Sequence, residues 1–436
     1  MSATDSTAGI EAVYRIEFPR VVATLARSVG DLELAEDLAQ EALVDALQQW
    51  PRDGTPDNPG AWLTAVGKRK AIDLFRRDRA RAAKYAQVGR ALESEHGAGT
   101  GALADVESVQ DIQDDQLRLI FVACHPRLPM PARVALTLRL VGGLTVPEIA
   151  RGYVVPEATI AQRIVRAKKT IANAGVRFEV PAGDDRAARV GAVLEVIYLI
   201  FNEGYSATSG EDWLRPELCA EALRLGRLLS ALASEEAEVH ALVALMEFHS
   251  SRLRARTDLR GAPVLLLDQD RRTWDRLLIE RGNAALARAE ALSQTKGPYT
   301  LQAAIAACHA RSFRPEETDW AAVVKLYGEL AGAAPSPIVE LNRAVAISMA
   351  WGPGPALDLV DQLVETRTLD RYHLLYSVRG DLLERLGRHA EAAAEFERAA
   401  RLATNTPERD LSDQRARASR ARADDSATGA HAVTDG

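Results

Sequence analysis

The chain has 436 residues, 47% of them hydrophobic and 26% charged, and a net charge of −7. It is too long for one core of ordinary size, so we expect about two to four domains. Its richness in Ala, Leu and Arg predicts an all-α protein. Three distant cysteines without a CxxC pair argue against a disulfide framework or a zinc site, and no cofactor is expected.

The sequence also bears on location. No apolar run reaches the roughly 18 to 20 residues that span a bilayer, so no membrane partner is expected. Residues 1–9 are small and polar and have neither the basic start nor the apolar centre of a signal peptide. We therefore expect a cytoplasmic protein.

Charge is sharply segregated along the chain. Basic and acidic residues balance up to Pro181, so the whole negative excess lies after it. Six carboxylates and no Lys or Arg occur in Asp31–Asp45, whereas Lys68–Lys84 holds eight basic residues against two acidic ones. This pattern predicts two partners for the N-terminal part, one basic and one polyanionic.

The first two predicted helices occupy Ile10 to Leu47, where apolar residues recur at helical spacing and a break falls near Gly30 and Asp31. The second helix carries its carboxylates around an apolar stripe. Such a surface is either simply solvated or an interaction surface, and its position beside a basic helix favours interaction.

The third predicted helix follows a loop rich in Pro, Gly and Asp, with Asn58 as N-cap and Pro59 at the first helical position. Cations interleaved with aromatic rings suit nucleic acid, because the cations neutralise phosphates and the rings stack on exposed bases. An equally good interpretation is that the aromatic residues simply belong to the hydrophobic core. The residues expected to be buried are Trp62, Leu63, Val66, Ile72 and Phe75, and the projecting cations are Lys68, Arg69, Arg76, Arg77, Arg79 and Arg81.

A small-residue segment from Gln87 to Asp105 predicts a flexible linker, and a second helical domain begins near Ile112. Cys124 and His125 lie together in this domain, but no further metal-type residue lies at ligand spacing. We therefore expect a packed Cys and a helix-terminal His.

Leu144 to Ile171 has the pattern of a helix-turn-helix, in which one helix supports another that enters a DNA groove. Thr145 and Glu148 predict a capping box, and a break is expected at Gly152. Of the outward residues on the second helix, Arg and Gln can read base edges and the two Lys suit phosphate contacts. These residues are Thr159, Gln162, Arg163, Arg166, Lys168 and Lys169.

The C-terminal half predicts amphipathic helices. A polar break at Asn202–Tyr205 is either a binding site or a loop with structural hydrogen bonds, and the loop is favoured. Leu341 and Ala346 recur as Leu375 and Gly380 at an offset of 34 residues, a spacing typical of tetratricopeptide repeats. The remaining residues of that pattern are Ala392, Phe396 and Ala399.

An enzyme is not expected. His240 and His249 flank Glu247 without HExxH spacing, and neither GxSxG nor a P-loop occurs. Residues after Asp410 predict a polar tail that begins as a helix, with the last dozen residues disordered.

Three segments together resemble a bacterial RNA polymerase sigma factor of the extracytoplasmic-function class in the sigma-70 family. They are AEDLAQEALVDALQQW (Ala35 to Trp50), NPGAWLTAVGKRKAIDLFRR (Asn58 to Arg77) and LPMPARVALTLRLVGGLTVPEIARGYVVPEATIAQRIVRAKKTI (Leu128 to Ile171). The long C-terminal part is similar to the subgroup with a fused tetratricopeptide-like extension. The turn GYVV departs from the small residue and Leu that family members more often have there.

The resemblance implies a domain order. It comprises a sigma region 2 domain (1–86), a flexible linker (87–110), a region 4 helix-turn-helix domain (111–180), a helical extension (181–330), tetratricopeptide-like repeats (331–410) and a polar tail (411–436).

The resemblance also implies roles. Asp37, Gln40, Glu41 and Asp45 would dock the clamp helices of the polymerase β′ subunit. The helix from Trp62 to Arg77 would bind and help to open the minus-ten promoter element. Region 4 would read the minus-thirty-five element and touch the β flap, and a regulatory protein could act on the C-terminal domain. The competing hypothesis is a DNA-binding regulator on a tetratricopeptide scaffold that never joins polymerase.

Overall fold

The computed structural model describes residues 3–89, 109–153, 155–182, 184–206, 213–258 and 261–434. Within these ranges the chain forms eighteen α-helices and no β-strand, which confirms the all-α prediction. The chain divides into two compact units, residues 1–196 and 197–436. In the described part, none of the helices combines the length and the apolar character needed to cross a bilayer.

Unit 1 begins with three long helices and continues with four shorter ones. They are α1 (Ala3–Val29), α2 (Leu32–Asp53), α3 (Pro59–Gly89), α4 (Val109–Ala123), α5 (Met130–Leu140), α6 (Val146–Tyr153) and α7 (Glu157–Asn173). The boundary between the units falls within α8 (Asp184–Tyr205). The predicted linker lies almost wholly outside the described residues.

Local sequence determines where these helices begin. The Asp31 side chain accepts hydrogen bonds from the amides of Glu33 and Leu34 at 2.8 and 3.0 Å, directly after Gly30 turns the chain at φ 71°. The Asn58 side chain accepts from the amide of Ala61 at 3.0 Å. Each bond satisfies a backbone donor that the first turn of a helix leaves without an intrahelical partner.

Helices α1, α2 and α3 pack on one another around apolar side chains. Phe18, Val22 and Leu25 of α1 are fully buried, as are Leu38 of α2 and Leu63 of α3. Full burial of each such side chain stabilises the fold by about 1.5 to 3 kcal/mol. The polar faces of α2 and α3 are thereby left for other contacts.

Unit 2 continues the helical order with short connections. Its helices are α9 (Pro216–Leu232), α10 (Ala237–Ser251), α11 (Arg276–Leu292), α12 (Pro298–Arg311), α13 (Trp320–Ala333), α14 (Pro337–Trp351), α15 (Pro353–Glu365), α16 (His373–Arg385), α17 (His389–Leu402) and α18 (Thr406–Thr434). Three short 3-10 turns, Leu253–Ala255, Arg271–Thr273 and Pro315–Glu317, lie in the loops. The segment from Pro263 to Asp270 forms a single bridge, between Pro263 and Thr257, and no strand.

Consecutive helices from α13 to α18 pack on one another, and α14 also contacts α16. Gly380 of α16 lies directly against the fully buried Phe396 of α17, since a Cβ at Gly380 would stand 2.8 Å from the ring. The sequence pattern predicted this close approach, and its assignment to tetratricopeptide repeats remains a prediction.

The prediction that the tail is disordered over its last dozen residues is wrong, because α18 is a continuous helix from Thr406 to Thr434. Its anchor is a row of small side chains at helical spacing: Ser412, Ala416 and Ser419 are all buried. Arg415 adds ion pairs to Asp381 at 2.5 Å and to Glu384 at 3.1 Å. The tail is polar in composition, but its small residues form a packing face.

Candidate functional site

The outward face of α2 combines carboxylates with apolar side chains. Asp37, Gln40 and Glu41 are exposed there, while Asp45 is half-buried. Val44 and Leu47, on the same side of the helix, are about half exposed at 51% and 50%. Exposed apolar residues framed by charge are typical of a protein-binding surface, and we call this surface the acidic face.

One carboxylate of the acidic face, that of Asp37, is poorly compensated. Burial, and then the neighbouring Glu36, Glu33 and Glu41, raise the pKa of the Asp37 carboxyl above its usual value against the opposing effect of Lys168. Like charges that raise each other's pKa would gain from a cationic partner. The acidic face therefore fits a basic protein surface.

A lysine of the same chain already lies at the end of the acidic face. Lys70 of α3 forms ion pairs with Asp45 at 3.1 Å and Glu41 at 3.4 Å. Burial acts to lower the pKa of the Lys70 ammonium, but Asp45 and Glu41 outweigh it and raise that pKa above its usual value. The sequence did not indicate this pairing, because Lys70 was counted only among the basic residues of α3.

The outer surface of α3 is basic and unexpectedly apolar. Arg69, Arg76 and Arg77 are exposed, and Lys68 is half-buried. Ile72 and Phe75, which were expected to be buried, are 39% and 40% exposed. The expectation is wrong because the buried side of α3 is formed by Leu63, Val66 and Ala71, and Ile72 and Phe75 lie outside that row.

Trp62 is held by an aromatic contact. Its ring meets that of Trp50 edge to face, with centroids 5.4 Å apart, and the side chain is half-buried. Such pairs add about 0.5 to 1.5 kcal/mol beyond area burial. Trp62 is therefore fixed in place with part of its surface free, whereas Leu63 and Val66 form the core as expected.

The helix-turn-helix is formed by α6 and α7. The predicted capping box is present: the Glu148 carboxylate accepts from the Thr145 amide at 2.7 Å, and the Thr145 hydroxyl accepts from the Glu148 amide at 3.4 Å. Gly152 belongs to α6, which ends one residue later, so the predicted break was placed slightly early. Val154, in the unusual turn, lies outside the described residues.

Helix α7 has one apolar side and one polar side. Ile160, Ile164, Ala167 and Ile171 are buried. Of the predicted DNA-contacting residues, Gln162, Arg166 and Lys169 are exposed, and Thr159 and Arg163 are half-buried. These five side chains share the outward side.

Lys168 is the exception on α7. Its side chain is only 11% exposed and forms an ion pair with Glu36 of α2. Glu36 is itself 2% exposed and also accepts a hydrogen bond from Arg139 Nε of α5 at 2.9 Å. The Lys168 ammonium is therefore bound to Glu36 in this arrangement of unit 1 and does not offer the expected phosphate contact.

The adjacent reactive residues Cys124 and His125 are packed into the structure. Cys124 is fully buried, with its sulfur 3.2 Å from the Thr137 hydroxyl, and burial raises the pKa of its thiol to about 11. His125 follows the end of α4, and burial lowers its pKa below the usual value. Across the described ranges, no group of three or more His, Cys, Asp or Glu could hold a metal ion.

The polar break Asn202–Tyr205 is bound into unit 2 by its own contacts. Glu203 forms a buried ion pair with Arg215, and the Arg256 guanidinium stacks 3.5 Å from the Tyr205 ring and 4.4 Å from that of Trp213. A Cβ on Gly204 would stand 2.6 Å from a backbone nitrogen, that of Cys219. These contacts favour a structural role, but the expected loop is wrong, because Asn202–Tyr205 form the last turn of α8.

Comparison with known proteins finds two family matches within unit 1. Residues 13–81 match the family "Sigma-70 region 2", and residues 118–171 match "Sigma-70, region 4". The chain is 30% identical over 156 residues to the ECF RNA polymerase sigma factor SigK of Mycobacterium ulcerans, an overlap that covers 35% of this chain and 79% of that protein. The chain belongs to the extracytoplasmic-function sigma factors of the sigma-70 family.

Further relatives extend this result. The sigma factor is 34% identical over 84 residues to the ECF RNA polymerase sigma-E factor of Escherichia coli K12, covering 19% of this chain and 44% of that one. An uncharacterized protein of Rhizobium meliloti is 46% identical over 390 residues, covering 89% of this chain and 91% of its own. Residues 189–290 match a family of unknown function, DUF6596. No solved structure matches the chain.

Family membership fixes the coarse function. The chain is a sigma factor, and its two sigma-70 regions imply that it acts with core RNA polymerase and promoter DNA. Sigma factors are not a family of enzymes. The C-terminal extension matches a family of unknown function over residues 189–290, which assigns it no role.

Proposed function

We propose that this sigma factor docks core RNA polymerase through the acidic face of α2, against the clamp helices of the β′ subunit. The observation that carries the proposal is the exposure of Asp37, Gln40 and Glu41 beside Val44 and Leu47. The opposite side of α2 is buried in its own domain. A partner with basic and apolar side chains would satisfy both components of the acidic face.

In the same proposal, α3 binds and helps to open the minus-ten promoter element. Its exposed Arg69, Arg76 and Arg77 supply phosphate contacts. The exposed ring of Phe75 and the half-exposed ring of Trp62 can stack on bases of the opened strand. Stacking would offset the few kcal/mol that extruding a base costs.

Helix α7 reads the minus-thirty-five element, and its domain touches the β flap. The long polar side chains of Gln162, Arg163 and Arg166 lie on the outward side of α7, where they can reach base edges in a major groove. Thr159 and Lys169, at either end of this surface, would contact the backbone. Lys168 joins them only after its ion pair with Glu36 has been broken.

Charge reversal tests the polymerase contact. In a pull-down on core polymerase, the double variant Asp37→Lys, Glu41→Lys should lose at least about tenfold in affinity, because like charges opposed across an interface cost several kcal/mol. The matched control is Asp53→Lys, Asp57→Lys, which makes the same charge change at exposed positions outside the acidic face. Equal capture of both variants would contradict docking through the acidic face, whereas no capture of the parent protein would leave a DNA-binding regulator that does not join polymerase.

We further propose that the C-terminal extension modulates the activity, either alone or through a bound regulatory protein. The part of the chain after Pro181 carries the whole negative excess, which could screen the basic surface of α3. Ending the chain at Pro181 should therefore change transcript yield from a cognate promoter. The control is Arg189→Ala in the full chain, which removes the hydrogen bond from Arg189 to the Phe121 carbonyl and keeps the extension. Unchanged yield after truncation would remove the modulatory role.

A further inference from the structure

A cleft of about 290 Å³ lies within unit 1, where the region 4 domain ends and α8 begins. Three segments form it: the loop after α4, the segment that follows α7 and the first turns of α8. The five outward residues of α7 that the proposed function assigns to DNA do not line it. The ionisable residues that line it are His125, Arg127, Arg177, Glu179, Asp185 and Arg189.

The walls of the cleft are held by the backbone and by one arginine. After α4, the Leu128 amide donates to the His125 carbonyl at 2.9 Å. After α7, Gly175 turns the chain at φ 59°. Arg189 of α8 donates to the Phe121 carbonyl in the last turn of α4 at 2.8 Å, which ties α8 to α4. The cleft is therefore formed by contacts within the chain, as is usual for small-molecule sites.

Positive charge in the cleft is incompletely compensated. Its lining holds three arginines and two carboxylates. Arg189 is paired with Asp185, but only at 3.8 Å. Within the described part of the chain, neither Arg127 nor Arg177 has a carboxylate within ion-pair distance, and both side chains are exposed. The cleft therefore offers guanidinium groups whose donors are available to a ligand.

Two further donors favour an anion in the cleft. The Arg189 Nε is buried and has no hydrogen-bond partner among the described residues, and a buried donor of this kind marks a place for water or an ion. The His125 Nδ1 accepts from the Arg127 amide at 3.1 Å, so the neutral ring carries its proton on Nε2.

The electrostatic environment of His125 agrees with this. Burial, and then Arg189 and Arg127, lower the pKa of His125 below its usual value against the opposing effect of Asp185. Cations that disfavour a proton on a neighbouring ring make the same place favourable for a negative charge.

The size and chemistry of the cleft indicate a class of ligand. Guanidinium groups present forked donors that match the oxygens of a phosphate. Small-molecule pockets usually measure roughly 300 to 1,000 Å³, so a cleft of about 290 Å³ suits a small ligand rather than a dinucleotide. Glu179 and Asp185 are exposed in the same cleft and can accept hydrogen bonds only from donors such as hydroxyl groups.

We propose that this cleft binds a small phosphorylated polyhydroxy compound, with Arg127, Arg177 and Arg189 on the phosphate and Glu179 and Asp185 on the hydroxyl groups. The ligand joins the loop after α4 to the segment between α7 and α8, and so fixes the start of α8 on the region 4 domain. Binding does not rest on the proposed function, whereas an effect of the ligand on transcription does.

Calorimetric titration of the full chain at an ionic strength of about 0.15 M tests the site. The probes are the terminal phosphate esters of glycerol, ribose and glucose, with inorganic phosphate and the three free polyols as references. We expect at least one ester to bind at least about fivefold more tightly than inorganic phosphate, because the ester also reaches the carboxylates. The free polyols should not bind.

Three variants locate the binding. Arg127→Gln, Arg177→Gln should weaken the tightest ester at least about tenfold. The matched control Arg52→Gln, Arg254→Gln makes the same charge change at exposed positions outside the cleft and should leave its affinity unchanged. Glu179→Gln should tighten inorganic phosphate, because it removes a negative charge, and should reduce the preference for the ester. Circular dichroism confirms that each variant is folded.

Each contrary outcome overturns the proposal. No binding of any ester, or equal weakening by the cleft variant and its control, removes the site. Inorganic phosphate that binds as tightly as every ester removes the assigned ligand class. If no ester binds and the cleft variant weakens binding of a DNA duplex more than its control does, the cleft contacts the DNA backbone instead. None of these titrations contains polymerase, so failure of the site and failure of the proposed function are separate results.

Discussion

Replacing Gly380 by Ala should destabilise unit 2, although Ala is the better helix former. The added Cβ would lie 2.8 to 3.0 Å from three ring atoms of Phe396, closer than real Cβ atoms approach. That ring is fully buried, and the Arg415 guanidinium lies over it at 4.3 Å, so it has little room to move. Overpacking of this kind costs about 1 to 3 kcal/mol, against a gain of about 1 kcal/mol in helix propensity.

Gly328→Ala supplies the matched control. Gly328 lies inside α13 and is exposed, and a Cβ added there would have no other atom within 4 Å, so only the gain in propensity applies. In thermal unfolding followed by circular dichroism, Gly380→Ala should lower the midpoint by about 3 °C and Gly328→Ala should raise it by about 3 °C, at about 2 to 4 °C per kcal/mol for a unit of this size.

The difference between the two variants tests the packing of α16 against α17. Both make the same chemical change in the interior of a helix, so their difference of about 2 kcal/mol measures the close approach of α16 and α17. A rise in midpoint for Gly380→Ala equal to that for Gly328→Ala would refute the packing. Adding Phe396→Leu to Gly380→Ala should recover part of the loss.

Three further outcomes are expected. Burial, and then Arg252, lower the pKa of His309 to about 4. Because the unfolded chain is protonated first as the pH falls below about 6.5, urea unfolding should show unit 2 losing about 3 kcal/mol by pH 4 through His309 alone. Burial holds the pKa of His249 well below its usual value, so His249 should add to that loss. Asp31→Ala removes the cap of α2 and should cost about 1 kcal/mol in the same assay, whereas Asp31→Asn should cost less. Phe75→Ala should reduce promoter opening, measured by permanganate reactivity of unpaired thymines. It should cost little stability, because the side chain is 40% exposed. A large loss of stability would show that the ring belongs to the hydrophobic core.

Local signals were the most predictable part of the fold. The cap at Asn58 and the capping box of Thr145 with Glu148 depend on residues three positions apart, and both form as expected. The break expected near Gly30 and Asp31 is also present, and there Asp31 caps α2. The approach of Gly380 to Phe396 also followed from spacing, because small and aromatic residues at these offsets are typical of paired helices.

Tertiary features were the least predictable. Glu36 was counted as one of six acidic residues on a solvated or interacting surface, but its charge partners Arg139 and Lys168 lie more than 100 residues away. Apolar periodicity likewise placed Ile72 and Phe75 in a core, and the structure leaves both partly exposed. Periodicity indicates which side of a helix is apolar but does not indicate how far the neighbouring helices extend.

The central claim is that this sigma factor directs core polymerase to promoters through separate contacts in regions 2 and 4. The most direct test is reconstituted run-off transcription on promoters selected from the host, with core polymerase alone as the reference. We expect promoter-specific transcripts well above that reference, reduced by Asp37→Lys, Glu41→Lys and retained by Asp53→Lys, Asp57→Lys. Transcript no greater than that of core polymerase alone would contradict it.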